Sequence, residues 1–234
     1  GEPLPIAKCR GDEVSAGTVN GKGGLVYRAT RVGHDTRLGQ ITEQVASAFG
    51  FSSREGDAHL HATPPGADGL VMLPFLNGER TPDLPRGKGV LAGIDTTNMT
   101  PAHVYRAAME GATYSLKYGY DAFVRAGMRF DRIVLTGGGS NSAAWRQLVA
   151  DVFGLPVDVP AQAEGAALGA ALQALWARSH AQGQGVAITD ITREHIAIDP
   201  ALSATPDPAR SPAYAAAYQR FLHYLDAVSP LQRG

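Results

Sequence analysis

Residues 131–159 read DRIVLTGGGSNSAAWRQLVADVFGLPVDV, and this stretch decides how the chain folds. After Arg132, residues 133–136 are β-branched or aliphatic, three glycines break the run, and from Ser142 the apolar positions take up helical spacing. The pattern predicts a strand entering a glycine turn and leaving as a helix. Trp145, Leu148, Val149, Val152 and Phe153 then share one helix face, with Asn141 or Ser142 as cap and Gly154 ahead of Pro156 as the stop. Three glycines allow a backbone to approach a flat or anionic group, and N–H groups at a helix start attract phosphate or ribose oxygens. A nucleotide loop and a plain tight turn both fit, since the run is neither GxxxxGK[ST] nor a full GxGxxG.

Downstream, residues 155–159 read as a short strand and 164–177 as a helix whose Gly165, Ala166, Gly169 and Ala170 form a small-residue side for close packing. A proline-rich connection over 201–212 leads to a closing amphipathic helix over 213–228, with Tyr214, Tyr218, Phe221, Leu225 and Val228 on its apolar face. Upstream, the apolar run 70–76 delivers a charged turn, Asn77 to Pro82, that is either a ligand loop or a surface turn carrying a salt bridge. Thr100 and Pro101 then cap a long helix that stops at Gly127. Its Tyr105, Ala108, Met109, Ala112, Leu116, Tyr120 and Phe123 are expected to pack into the core.

The chain of 234 residues carries a formal net charge of −1, which argues against a nucleic-acid or membrane-surface role. Cys9 is the only cysteine, so no intramolecular disulfide framework exists, and a reducing, cytoplasmic setting is the expectation. The start has neither an initiator Met nor a signal pattern, so the chain reads as a piece of something longer. Residues 50–68, rich in Gly, Ser, His, Pro and charge, read as a junction. His59 and His61 stand two apart there, and a solvated loop is expected rather than a metal site. The seven histidines show no recurring metal spacing, and no metal ligands are assigned.

Two resemblances organise these parts. Residues 66–114, GADGLVMLPFLNGERTPDLPRGKGVLAGIDTTNMTPAHVYRAAMEGATY, resemble the FGGY carbohydrate kinases, and within them the xylulokinase branch. Gly93, Ile94, His103, Val104, Ala107 and Glu110 match positions of that family's second signature. The glycine turn with Trp145, Arg146, Gln147 and Asp151, followed by EGAALGAALQA, continues the match to about residue 224. The resemblance implies an α/β fold, the C-terminal, nucleotide-binding lobe of an actin-like (RNase H-like) ATPase, present in incomplete form over residues 69–234. It implies ATP and Mg²⁺ as cofactors and a pentulose as acceptor. Gly137, Gly138, Gly139, Ser140 and Asn141 would line the adenosine and proximal-phosphate side, and Glu79 and Arg80 the substrate side.

Residues 1–49 carry a second resemblance, to the actuator domain of P-type heavy-metal ATPases, through Gly1 to Pro5, GDEVSAGTVN and ATRVGHDTRLGQI. A small β-rich appendage is expected there, with a hairpin near Asn20 and Gly21 and a helix opening near Asp35 or Thr36. That family's loop glutamate corresponds to Glu2, but its DKTG loop and membrane helices do not occur, so Glu2 reads as an exposed carboxylate. Cys9 and His34 read as surface residues.

The kinase family places its base in a GDN-type segment and its phosphate loop in a GTSG-type segment, and this sequence contains neither. Asp68, Asp83 and Asp95 sit in no matching motif, so the catalytic residue is left unassigned. The expectation is a sugar-kinase lobe inactive by itself, whose partners are nucleotide, sugar and either a first kinase lobe or a second copy. The alternatives are a noncatalytic nucleotide-binding or interaction module and a joined product of two parents.

Overall fold

In the computed structural model the chain divides into two compact units, Gly1–Val32 and Gly33–Gly234. The described residues are 37–52, 55–162 and 165–232, all in the second unit. The expected hairpin, Glu2, Cys9 and His34 therefore lie outside the described residues.

Helix α1, Arg37–Ala48, starts where the helix near Asp35 or Thr36 was expected. A second helix, α2, Gly56–Ala62, occupies the segment read as a junction. Composition suggested a linker, but the tertiary contacts of two residues hold this helix in place. Leu60 is buried, and Gly56 is packed so closely that a Cβ there would fall 2.1 Å from the Tyr105 Oη. His59 lies on this helix with its ring 4.3 Å from that of Phe51, in packing rather than in a solvated loop.

Strand β1, Val71–Leu73, pairs antiparallel with β2, Val90–Ala92, in the register Val71↔Ala92 and Leu73↔Val90. The sequence reading anticipated β1 but not β2. Between them Gly78 adopts φ 80°, and a Cβ there would fall 2.3 Å from the Pro85 carbonyl oxygen, so this turn requires glycine. Helix α3, Pro101–Arg125, is capped by Thr100, whose Oγ1 accepts from the His103 N–H, and Gly127 follows at φ 89°. Its first half is core: Val104, Ala107, Ala108 and Met109 are at most 3% exposed. The expected apolar stripe does not stay buried along the whole helix. Leu116 is 54% and Phe123 53% exposed, since the fully buried part of the helix ends at Tyr114.

β3, Ile133–Val134, and β4, Val157–Asp158, pair in parallel, and α4, Ala143–Phe153, makes the crossover between them. Both strands are shorter than the aliphatic runs that predicted them. Ser142 is the cap actually used, accepting from the Trp145 N–H, and Gly154 closes the helix at φ 66°. Helix α5, Gly165–Ala181, runs a turn beyond its expected end, and α6, Ile188–His195, was not anticipated. Of the small residues on α5, Gly165 lies close to a neighbour, while a Cβ at Gly169 would meet nothing within 4 Å. The last helix, α7, Ser211–Gln232, buries Tyr214, Tyr218, Phe221 and Leu225 as its spacing predicted.

The core lies where α3, α4 and α7 meet β1 and the β3–β4 pair, with the Tyr114 and Phe221 rings 5.6 Å apart at its centre. A buried polar cluster ties these layers together. Arg106 Nη1 lies 3.0 Å from Glu110 Oε1, and the guanidinium also donates to Thr63, Tyr214 and the Leu60 carbonyl. The Gly66 N–H and the Tyr114 hydroxyl donate to Glu110 in turn. Burial pushes the Glu110 carboxyl up from its ordinary range, against the opposing pull of Arg106.

Candidate functional site

The glycine turn begins where β3 ends. Leu135 is the last buried residue of the run, and its N–H donates to the Asp158 carbonyl, extending the parallel pairing by one bond. Gly137 then takes φ 86° with ψ −177°, a conformation that a side chain would strain. Residues Gly138–Asn141 form one short 3₁₀ turn. Gly137, Gly138 and Gly139 are half-buried, Asn141 and Thr136 are exposed, and Ser140 is buried. The five residues expected at the adenosine and proximal-phosphate side are thus one continuous turn at the carboxyl end of a parallel strand, where ligands bind in open α/β sheets.

Two anchors fix the turn from behind. The Ser140 hydroxyl donates to the Gly137 carbonyl at 2.7 Å, while the buried Arg146 reaches back from α4 to donate to the Ser140 carbonyl at 2.6 Å. At the far end the Ser142 N–H donates to the Gly139 carbonyl, and the Ser142 hydroxyl donates to Asp57 Oδ1 at 2.5 Å. Asp57 comes from α2. Its second oxygen lies 3.5 Å from the Ala144 N–H at the start of α4. Sequence reading did not single out either anchor for this role. Arg146 was named only among the residues of the family resemblance, whereas Asp57 gave no local signal because its partner is 85 residues away.

The arrangement corrects one expectation. Two N–H groups at the start of α4 already have partners: Trp145 is served by Ser142, and Ala144 lies 3.5 Å from Asp57 Oδ2. The backbone of the turn itself is accessible. On its other side the start of α5 comes close, since a Cβ at Gly165 would lie 3.2 Å from Thr136 Cβ. The nearby Tyr105 hydroxyl is pushed up to about 12, first by burial and then by the Asp57 carboxylate.

Glu79 and Arg80 belong to the other strand pair. Glu79 and Leu84 exchange backbone bonds of 2.8 and 2.9 Å, closing a tight loop, and the Arg80 N–H donates to Glu79 Oε1. Arg80 is exposed and Glu79 half-buried. Asp68 is held by His103 at 2.9 Å, and the Asp95 carboxylate accepts from Thr97 and Asn98, which keeps it below the usual carboxylate range. Two clefts, of ≈ 550 Å³ beside Lys117 and Tyr218 and ≈ 590 Å³ beside Gln147 and Arg210, are lined by other residues than the turn. Among the described residues no three His, Cys, Asp or Glu side chains converge to hold a metal, so Mg²⁺ receives no assigned ligands. No helix among them is long and apolar enough to cross a membrane.

Comparison with known proteins adds a family. A model of the FGGY family of carbohydrate kinases, C-terminal domain, matches residues 22–178. That match begins inside the stretch that resembles the pump actuator. A xylulose kinase of Haemophilus influenzae is 41% identical over 186 residues, which is 80% of this chain and 37% of that protein. A xylulose kinase of Streptomyces rubiginosus is 44% identical over 116 residues, 48% of this chain and 23% of that protein. Among solved structures, xylulose kinase from Rhodospirillum rubrum superposes with a TM-score of 0.70 at 27% identity, covering 85% of this chain and 38% of that one. The chain spans well under half the length of each of these relatives.

Proposed function

Because the chain belongs to the FGGY family of carbohydrate kinases and has the actin-like fold of its C-terminal lobe, we propose that it is the nucleotide-binding lobe of an ATP-dependent sugar kinase of the xylulokinase type. The observation that carries the reading is the glycine turn 137–141, anchored from behind by Arg146 and Asp57 and accessible in front. Gly137, Gly138, Gly139, Ser140 and Asn141 hold the adenosine and proximal-phosphate end of ATP, and the start of α5 at Gly165 lies beside them, against Thr136. Glu79 and Arg80 face the sugar. Bound ATP supplies the phosphoryl group and the Mg²⁺ that travels with it spreads the transferred charge. This chain's residues bind and orient.

Transfer to a sugar hydroxyl also requires a positioned base, and no carboxylate of this chain sits in a matching motif. A base contributes on the order of 10²–10⁴-fold and positioning still more. The chain therefore binds nucleotide without turning over until a first lobe completes the site. The names of the relatives support a pentulose as the acceptor.

Calorimetry with MgATP and MgADP tests the binding reading, with Gly138→Val as control. Saturable heats are expected from the wild-type chain and none from the variant, and equal heats from both would remove the turn from the site. ADP release measured with and without D-xylulose tests the rest. Sugar-dependent turnover near roughly one per second, ordinary for an enzyme, would show that the chain is catalytically complete.

A further inference from the structure

We infer that Thr100 is an activated hydroxyl that accepts an acyl group from an activated ester, with His103 as its base and Asp68 holding that base in the required tautomer. The inference stands apart from the glycine turn and does not depend on nucleotide binding.

The three side chains form one hydrogen-bonded line. His103 Nε2 lies 2.9 Å from Asp68 Oδ2, and His103 Nδ1 lies 2.7 Å from Thr100 Oγ1. An ionised carboxylate can only accept, so Nε2 carries the proton, and in the neutral ring Nδ1 is left as the acceptor. The Thr100 hydroxyl therefore donates to Nδ1. Its oxygen in turn accepts from the His103 backbone N–H at 3.3 Å, a donor aimed at the atom where charge develops as the proton leaves. A nucleophile within reach of a base that a third group orients is the arrangement by which weak hydroxyl nucleophiles are activated.

The backbone that carries Asp68 is held for this contact. Asp68 stands at φ 48° and ψ 40°, in the left-handed region that a side chain strains, with Gly66, Ala67 and Gly69 around it also at positive φ. Asn98, fully buried, donates to the Asp68 carbonyl at 3.2 Å and to the Gly93 carbonyl at 2.9 Å, which fixes the turn. Asp95 lies close enough to the ring to feel its charge, so the imidazolium formed during the reaction faces two carboxylates. Thr100 is exposed, and Ile94 and Met99 in the same turn, 51% and 54% exposed, offer apolar surface to an acyl group.

In the step, Oγ1 bonds to the acyl carbon while its proton passes to Nδ1. The C–O bond to the leaving alcohol breaks, and Nδ1 passes the proton on to that alcohol. Pro101, the residue after Thr100, has no N–H to offer the carbonyl oxygen, so the chain takes up an acyl group once rather than turning over fast.

The test treats the full chain with p-nitrophenyl acetate at mildly alkaline pH, where free imidazole is neutral. Release of p-nitrophenolate is followed, and peptide masses locate the acetyl group. A stoichiometric release phase and an acetyl group on Thr100 are expected. Thr100→Asn keeps a good cap for α3 and should lose both, whereas Thr100→Ser should keep both. His103→Gln, with a residue suited to the third helical position, should slow labelling of Thr100 by about 10²-fold or more, the contribution of a positioned base. In Asp68→Asn an amide no longer demands the proton on Nε2. The imidazole nitrogen resonances of His103 should then show the Nδ1–H tautomer gaining, and labelling should fall about tenfold. Absence of an acetyl group from Thr100 of the wild-type chain overturns the proposal without any variant. An unchanged release phase in Thr100→Asn also overturns it, as does labelling of Thr100 at the wild-type rate in His103→Gln or in Asp68→Asn.

Discussion

Two glycines on the same helix, Gly111 and Gly119 of α3, should respond to alanine with opposite signs. Helix propensity alone says that each substitution stabilises by about 1 kcal/mol. At Gly119 nothing opposes this, because a Cβ there would find only Thr81 Cγ2, at 4.0 Å. At Gly111 the new carbon would fall 2.1 Å from the Met72 carbonyl oxygen and 3.1 Å from its carbon. A close C···O contact is roughly 3.3 Å, so α3 and β1 must part by about 1 Å. Met72 is paired with Leu91 in the β1–β2 ladder, and a backbone oxygen has no rotamer by which to retreat. Separation would loosen Leu73 and Met109, 1% and 3% exposed, and a gap of this size forfeits about a quarter to a half of each contact's attraction. Overpacking costs about 1–3 kcal/mol, and a backbone clash belongs at the upper end. After the propensity gain, Gly111→Ala should lose about 2 kcal/mol, or about 4–8 °C in Tm for a unit of this size. Gly119→Ala should gain up to about 1 kcal/mol. Urea unfolding of both variants beside the wild-type chain measures this. A Gly111→Ala protein as stable as Gly119→Ala would refute the proposed closeness of α3 to β1.

Two further substitutions probe the buried polar groups. Because burial raises the Glu110 carboxyl in the folded chain, the folded state holds its proton at pH values where the unfolded chain has released it. Stability should therefore fall as pH rises from the ordinary glutamate range through the raised value, and unfolding of Glu110→Gln followed across pH should lack that slope. Trp145 Nε1 donates to Thr113 Oγ1 at 3.0 Å, and Thr113 is fully buried. Thr113→Val should cost about 1–3 kcal/mol by stranding the indole N–H, and a denaturant midpoint equal to wild type would contradict that bond.

The sequence by itself determined the elements whose signals are local. The strand, glycine turn and helix over 131–159 are legible because a cap, a 3.6-residue apolar period and a stop glycine lie within a few turns of one another. Thr100 with Pro101 and the spacing of Tyr214, Tyr218, Phe221 and Leu225 are legible for the same reason. The five residues of the turn could likewise be named from the motif that contains them. Only the tertiary structure decided what depends on distant partners. Residues 56–62 look like a linker in composition, yet form a helix because Leu60 and Gly56 find the side of α3. Periodicity gave the whole of α3 an apolar stripe but could not tell where cover ends, so Leu116 and Phe123 are exposed. The start of α4 gave no local sign that Asp57, 85 residues before Ser142, is brought against it. A one-dimensional pattern records which face of an element is apolar; what sits against that face, and whether a helix end is already occupied, is settled by contacts between residues far apart in the chain.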